Sequence, residues 1–287
     1  MSAVYKKELR SYFNNFLGYL FVGVMLLIFG FFTVSYNLMY RYTVFEYVYG
    51  SSLFIYLITI PILTMRMMAE ERRQRTDQLL YSLPLKMSSI VLGKYFAALT
   101  VLGIPCAITG IYPLIYSFFG DMNFRVVYAS LICFFLLGAA LIAVCMFISS
   151  LTENQIIAAI ISFVALFLVN YASNLTNLSS NSPLVSVIML AVAIILICIV
   201  TVLITGNKIL AELIGIVLMI AAIAVAVFKS EWIESFTTAF FNKLALFDAF
   251  VDVVYGSFNI GVVVLYLSVA FLFNFFTVQA LEKRRWA

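Results

Sequence analysis

The sequence predicts an all-α integral membrane protein, a polytopic bundle of about eight transmembrane helices, and three observations carry that prediction. The 287 residues are 65% hydrophobic and only 10% charged, with a mean hydropathy of +1.11. Apolar runs repeatedly exceed the roughly 18 residues that a helix needs to cross a bilayer. The runs are continuous rather than alternating, which is the pattern of helices that satisfy their own backbone groups while turning hydrocarbon to lipid. Basic residues stand beside these runs instead of gathering on a polar domain, so the net charge of +4 is not the footprint of a nucleic-acid binder.

The elements follow in chain order. Lys6, Lys7 and Arg10 precede an apolar run too long for a signal-peptide core and without an A-x-A site, so this run is expected to remain as the first span, 16–36. Further spans are expected at 51–68, 89–118, 126–149, 155–172, 183–204, 209–228 and 259–278. The pair over 183–228, joined by Thr205-Gly206-Asn207-Lys208, reads either as two crossings or as a re-entrant hairpin. Lys208 and Glu212, four apart, read as a local ion pair at the membrane border. An even number of spans puts both termini on one side, and that side collects thirteen Lys and Arg residues against four (Arg41, Arg125, Lys229, Lys243) on the other. That asymmetry predicts cytoplasmic termini in a cell membrane.

Little protein is expected outside the bilayer. The polar loop SNLTNLSSNS carries Asn-x-Ser/Thr sequences of no distinctive meaning. Over 231–254, Ile233, Phe236, Phe240, Leu244, Phe247, Val251 and Val254 recur at steps of three and four, with Glu234, Thr238, Asn242 and Asp252 opposite. This predicts an extracytoplasmic amphipathic helix that lies on the outer leaflet or caps the bundle.

The stretch AEERRQRTDQLLYSLPLKMSSIVLGK, between the second and third spans, is the charged exception. Thr76 caps a short helix whose first turn holds Asp77; Leu79, Leu80 and Leu83 gather on one side, and Pro84 ends it. A two-turn helix is unstable alone, so its leucine face requires a partner. Arg66 with Glu70, and Glu71 with Arg75, stand at helical pair spacing, so the second span is expected to run past the membrane before the break. A helix over 89–118 would measure about 45 Å, longer than the hydrocarbon is thick, so its cytoplasmic end is expected to project. Pro105 and Pro113 predict kinks within it.

Several chemistries are excluded or disfavoured. The absence of histidine rules out imidazole metal sites, Ser-His-Asp triads and His proton relays. Cys106, Cys133, Cys145 and Cys198 lie inside apolar runs without metal-site spacing and read as small buried hydrophobes. Gly93-Lys94-Tyr95 lacks the upstream Gly and the Ser/Thr of a phosphate loop, so the chain is not expected to be an enzyme or to bind a nucleotide cofactor itself. The spans are almost free of central charge, which disfavours an ion-driven secondary transporter; Asn170 and Asn274 read as helix–helix hydrogen bonders.

The order VYKKELRSYFNNFLGYL, long second span, E-R-R-Q-R-T-D-Q-L-L-x-x-L-P, then I-V-L-G-K-Y at the start of the third span, resembles the membrane subunit of ABC-2 type exporters. The ending FNIGVVVLYLSVAFLFNFFTVQALEKRRWA resembles the gliding-motility type permeases within that group. The resemblance covers essentially the whole chain, and T-D-Q-L-L and L-E-K-R-R-W are its most specific parts.

It implies a single type V exporter-like permease domain over 1–287, with a six-span core and an inserted hairpin at 183–228. Val4 to Asn15, with Lys6, Lys7 and Arg10, matches the family's elbow helix, and Thr76 to Leu83 its coupling helix. The residues implied to contact an ATPase are Arg75, Thr76, Asp77, Gln78, Leu79, Leu80, Leu83 and Pro84; many relatives have Gly where this chain has Arg75. The implied partners are cytoplasmic ABC ATPase subunits, which hold ATP and magnesium, and a second permease copy or paralogue. An auxiliary membrane or extracytoplasmic protein would complete the assembly. The implied function is export of an amphipathic substrate; the competing reading is a mechanical membrane partner that relays ATPase motion without passing cargo.

Overall fold

The computed structural model describes residues 1–40, 44–75, 86–172 and 245–286, together with 191, 194, 213, 215–219 and 239. The described residues contain helices and turns and no strand, as an all-α polytopic membrane protein requires. Four of their helices are long and apolar enough to cross a membrane, and the shorter apolar Gln155–Asn170 accompanies them. The expected pair over 183–228, the loop SNLTNLSSNS, Lys208, Glu212, Cys198 and the residues from Thr76 through Pro84 lie outside the described residues or among the isolated ones. The chain divides into two compact units, 1–166 with 249–287, and 167–248. In the second, the rings of Phe167 and Tyr171 lie tilted by 36° to one another with centroids 4.5 Å apart.

In the first unit, α1 (Ser2–Asn14) presents Val4, Tyr5, Glu8, Leu9, Tyr12 and Phe13 as its covered side, while Lys6, Lys7 and Arg10 stay exposed. The recurrence at steps of one, three and four is that of a helix lying along a surface. The chain then extends at Asn15 (φ −91°, ψ 153°) and turns into α2 (Phe16–Thr33). A Cβ on Gly18 would stand 2.7 Å from the Tyr12 carbonyl oxygen, so only glycine permits so tight a bend. The far end of α2 continues as a π-helical segment, Val34–Met39, closed by Tyr40 N–H to the Ser35 carbonyl at 3.2 Å.

The second span departs from expectation. One helix over 51–68 was the simplest reading of its composition; instead the chain forms α3 (Glu46–Ser51), α4 (Ile55–Thr64) and α5 (Ala69–Arg73), separated by turns at 52–54 and 65–68. The two breaks are held differently: at the first the backbone bonds to itself at three-residue spacing, Leu53 N–H to the Gly50 carbonyl and Ile55 N–H to the Ser52 carbonyl, and at the second Ser149 intervenes. Tyr56 Oη donates to the Phe134 carbonyl at 2.9 Å near the first. Ser149 Oγ accepts from the Met68 and Ala69 N–H groups, both at 3.3 Å, and donates to the Met65 carbonyl at 3.2 Å at the second. Backbone groups freed by the breaks thus find partners inside the protein, as a membrane environment demands.

The third span is α6 (Met87–Thr109), about 35 Å long, followed after a turn by α7 (Tyr112–Tyr116). Pro105 sits inside α6, whereas Pro113 occupies the first turn of α7 and so begins a helix rather than kinking one. The fourth, α8 (Phe124–Leu151), is the axis of the unit and its most buried span. Phe29, Tyr49, Tyr56 and Phe250 all pack their rings against or beside Phe134 near its first third. Helix α9 (Gln155–Asn170) buries only the Ala158, Ser162 and Leu166 stripe.

Of the expected amphipathic helix, α10 (Leu246–Val254) is described. Phe247 and Val254 are buried as the sequence reading expects and Asp252 is exposed; Phe250 and Val253 are buried as well, and Val251 is only partly so. Phe250 stacks edgewise on Phe134, and Val254 approaches Gly50, so this stretch caps the α3–α8 end. The last helix, α11 (Ile260–Trp286), packs along α8 through Phe273 and Phe276 on Phe147. Asn274 donates to the Ala270 carbonyl of its own helix at 2.7 Å, not to a neighbouring helix.

Candidate functional site

Polar chemistry concentrates at the end of the bundle where α1, the turn 65–68 with α5, the start of α6 and the ends of α8 and α11 meet. Lys94, at the start of the third turn of α6, is 2% exposed there. Its Nζ lies 3.0 Å from Glu8 Oε1 of α1, 3.0 Å from Glu71 Oε1 of α5 and 2.7 Å from the Met67 carbonyl. An ammonium has three donors, and these three acceptors use all of them. Glu71 also accepts from Lys7 at 3.2 Å, and Lys7 lies 3.8 Å from Glu8. Burial acts to lower the Lys7 pKa, but Glu71 and then Glu8 outweigh it and hold the ammonium above its usual value. Two cations and two carboxylates thus close a neutral cluster linking three chain segments.

Close backbone approach makes the cluster possible. At Gly93 a Cβ would stand 3.1 Å from Val4 Cβ and 3.3 Å from the Met1 carbonyl, so α1 rests directly on α6 beside Lys94. Tyr5 and Thr100 hydroxyls meet at 3.0 Å one helical face further along, and Tyr12 donates to the Leu63 carbonyl at 3.3 Å.

A second set of contacts collars the end of α8. Arg72 donates to the Ser150 carbonyl at 3.1 Å and pairs with Glu153 at 2.8 Å, and Arg284 of α11 donates to the Leu151 carbonyl at 3.4 Å. Cations at the last carbonyls of a helix satisfy orphan acceptors and oppose the negative end of its dipole.

The sequence-derived residues fall as follows. Lys6, Lys7 and Arg10 are on the exposed side of α1, and of them Lys7 joins the cluster. Arg75 is described, exposed and left-handed at φ 55°; Thr76, Asp77, Gln78, Leu79, Leu80, Leu83 and Pro84 lie outside the described residues. The expected pairings at helical spacing are not made: no ion pair joins Arg66 to Glu70 or Glu71 to Arg75 among the described residues. Lys94, Glu8, Ser149 and Arg72 carry the junction instead. Sequence reasoning counted Lys94 only as a border charge, since Glu8 and Glu71 are 86 and 23 positions away, beyond any local pairing rule. The one signal was a lysine beside a glycine in the first turns of an otherwise apolar span.

A family model described as ABC-2 family transporter protein matches residues 3–188, well over half of the chain, and this range contains the whole junction except Arg284. No curated protein and no solved structure matches the chain.

Proposed function

The chain belongs to the ABC-2 family of transporter proteins, and from that premise we propose that it is an exporter's membrane-spanning permease subunit, driven by a separate cytoplasmic ATPase. The observation that carries this reading is the convergence on residues 69–75. Immediately before 76–83, α5 is tied to α1 and α6 through Glu71, to α8 through Arg72, and again to α8 through Ser149. Any displacement of the following segment therefore reaches α1 and the two spans α6 and α8 at once. In this reading 76–83 is the coupling helix: its Leu79, Leu80 and Leu83 adhere to a groove of the ATPase while Arg75 and Asp77 fix its orientation. α1 is the elbow helix at the same cytoplasmic surface, and Lys6 and Arg10 are its free cations for contact with the ATPase.

ATP and magnesium are held by the ATPase, whose closure moves two coupling helices belonging to two permease copies. The junction passes that motion to α6 and α8, and so to the path between the copies. Both termini are cytoplasmic, and the cargo is amphipathic, matching spans without central charge. Replacing Leu79 and Leu80 with aspartate is expected to abolish copurification of the ATPase while leaving the permease in the membrane; undiminished copurification overturns the proposal. Cargo-stimulated ATPase activity in liposomes is expected of an exporter, and its absence with every amphipathic compound tested assigns the chain to mechanical relay instead.

A further inference from the structure

The third span stops being one helix at Gly110 and Ile111, about 24 Å along α6 from Lys94, and hydrogen bonding rather than backbone angle is what stops it. Both residues keep helical angles, φ −63° and ψ −16° at Gly110 and φ −81° and ψ −27° at Ile111. Pro113 has no N–H, so the Thr109 carbonyl four residues back receives no helical donor from it. The Leu114 N–H turns to the Ile111 carbonyl at 3.1 Å instead of reaching Gly110. Two adjacent carbonyls are thus left to other partners.

Tyrosines from two other spans take them. Tyr128 Oη of α8 donates to the Gly110 carbonyl at 3.2 Å, and Tyr49 Oη of α3 donates to the Thr109 carbonyl at 3.5 Å. A Cβ at Gly110 would stand 3.0 Å from Leu131 Cδ2, so the bend rests directly on α8. Beyond the bend the backbone bonds to itself: the N–H groups of Leu114, Ile115, Ser117, Phe118 and Phe119 all end on carbonyls within 111–116. Inward, Tyr112 and Tyr116 lie on the Phe45 ring, with centroids 6.3 and 6.1 Å away. Outward, Phe118 and Phe119 are 86% and 82% exposed.

We propose that α7 with residues 117–119 is a flap, pivoting at Gly110–Ile111 and latched by the hydroxyls of Tyr128 and Tyr49, that covers the aromatic cluster at the end of the bundle opposite Lys94. Phe45 is fully buried beneath it, and its ring leads through Tyr49 to Phe134, in steps of 5.5 and 5.8 Å. Swinging α7 outward uncovers this row of rings and unfolds neither helix, because the pivot angles are already helical and each latch is a side-chain bond that parts alone. α6 runs as one helix from Lys94 to the pivot, so movement at the foot of the span arrives at the flap. The inference rests on the third span itself and is independent of whether an ATPase supplies that movement.

Electron–electron double resonance on the full-length protein in lipid nanodiscs tests this. Spin labels carried on p-acetylphenylalanine replace Phe118 on the flap and Ala3, an exposed residue of α1 where that helix rests on Gly93, so the native cysteines stay in place. The closed flap is expected at roughly 37 Å and an open population at least about 5 Å shorter. Tyr128→Phe removes one hydroxyl and no ring, and is expected to raise the ratio of open to closed about fivefold, the factor that one net hydrogen bond commands. Adding Tyr49→Phe is expected to raise it further. Tyr95→Phe removes a comparable hydroxyl, donated to the Ala139 carbonyl at 3.0 Å near the foot of α6, and is expected to leave the ratio unchanged. Pro113→Ala restores the N–H that the Thr109 carbonyl lacks and is expected to lower the ratio at least fivefold. A single distance in both the wild type and the Tyr49→Phe/Tyr128→Phe double variant overturns the proposal. So does an equal rise in Tyr95→Phe, or a Pro113→Ala ratio like that of the wild type.

Discussion

Replacing Lys94 with methionine isolates the contribution of the junction. The substitution keeps a long flexible side chain on α6 and removes the one fully buried cation between Glu8 and Glu71. Each pair spans 3.0 Å, with the carboxylate side chains 13% and 16% exposed and Lys94 2%. At an effective dielectric of about 20, each pair represents roughly 5.5 kcal/mol of gross attraction. Desolvation of the ions cancels much of this, and removing one member of a buried pair costs about 3–5 kcal/mol because the others stay buried and unpaired. In this protein the exposed Lys7 remains 3.2 Å from Glu71 and 3.8 Å from Glu8 and partly compensates the two carboxylates, which places Lys94→Met at the lower end.

The assay is thermal unfolding in lipid nanodiscs, where a fall in apparent Tm on the order of 5–10 °C is expected. Adding Glu8→Gln and Glu71→Gln to Lys94→Met removes the stranded charges and is expected to recover more than half of the loss. An unchanged Tm in Lys94→Met, or a triple variant no better than the single one, refutes the reasoning that the cluster binds α1, α5 and α6 through charge.

Three further outcomes are expected. Gly18→Ala forces a Cβ to within 2.7 Å of the Tyr12 carbonyl oxygen, so it should cost about 1–3 kcal/mol and free α1, read as faster proteolysis at the basic residues of α1. Arg75→Gly removes a side chain from a left-handed residue at φ 55° and should raise stability by about 1 kcal/mol in chemical unfolding. Glu46 has its carboxyl pKa raised, chiefly by burial and against its own backbone hydrogen bond, so the folded state holds this proton more tightly than the unfolded one. Stability should therefore fall as pH rises from the usual carboxylate range through the raised value, and Glu46→Gln should flatten that slope in a Tm series from pH 4 to 7.

How much was legible in the sequence differs from element to element. Spans one, three, four and the last were plain from continuous apolar runs, as was the shorter apolar helix over 155–170, and α1 came from the family resemblance of its basic start. The segmentation of the second span was not, because hydropathy is indifferent to whether a run is one helix or three. What separates α4 from α5 is Ser149, some 80 positions along the chain, accepting two backbone N–H groups that a continuous helix would have used itself. The Lys94 cluster was hidden for the same reason: charge pairs read from sequence are those three or four apart, and these are assembled by tertiary packing of α1 on Gly93. Arg75 is a further case. It is the one positive-φ non-glycine residue among those described, a backbone conformation that favours glycine, and nothing in its own side chain announces it.

The interrupted second span has a mechanical consequence. A continuous helix carries axial load through its ladder of backbone hydrogen bonds; at 52–54 that ladder tightens to three-residue bonds, Leu53 N–H to Gly50 and Ile55 N–H to Ser52, and after 65–68 it is interrupted where the Met68 and Ala69 N–H groups turn to Ser149. Each fracture is splinted sideways to the unbroken shaft of α8, by Tyr56 onto Phe134 at one and by Ser149 at the other. Compression arriving at one end of the second span is thus shed into its neighbour before it reaches the opposite face, and the stiffness of the crossing is that of α8 and not its own.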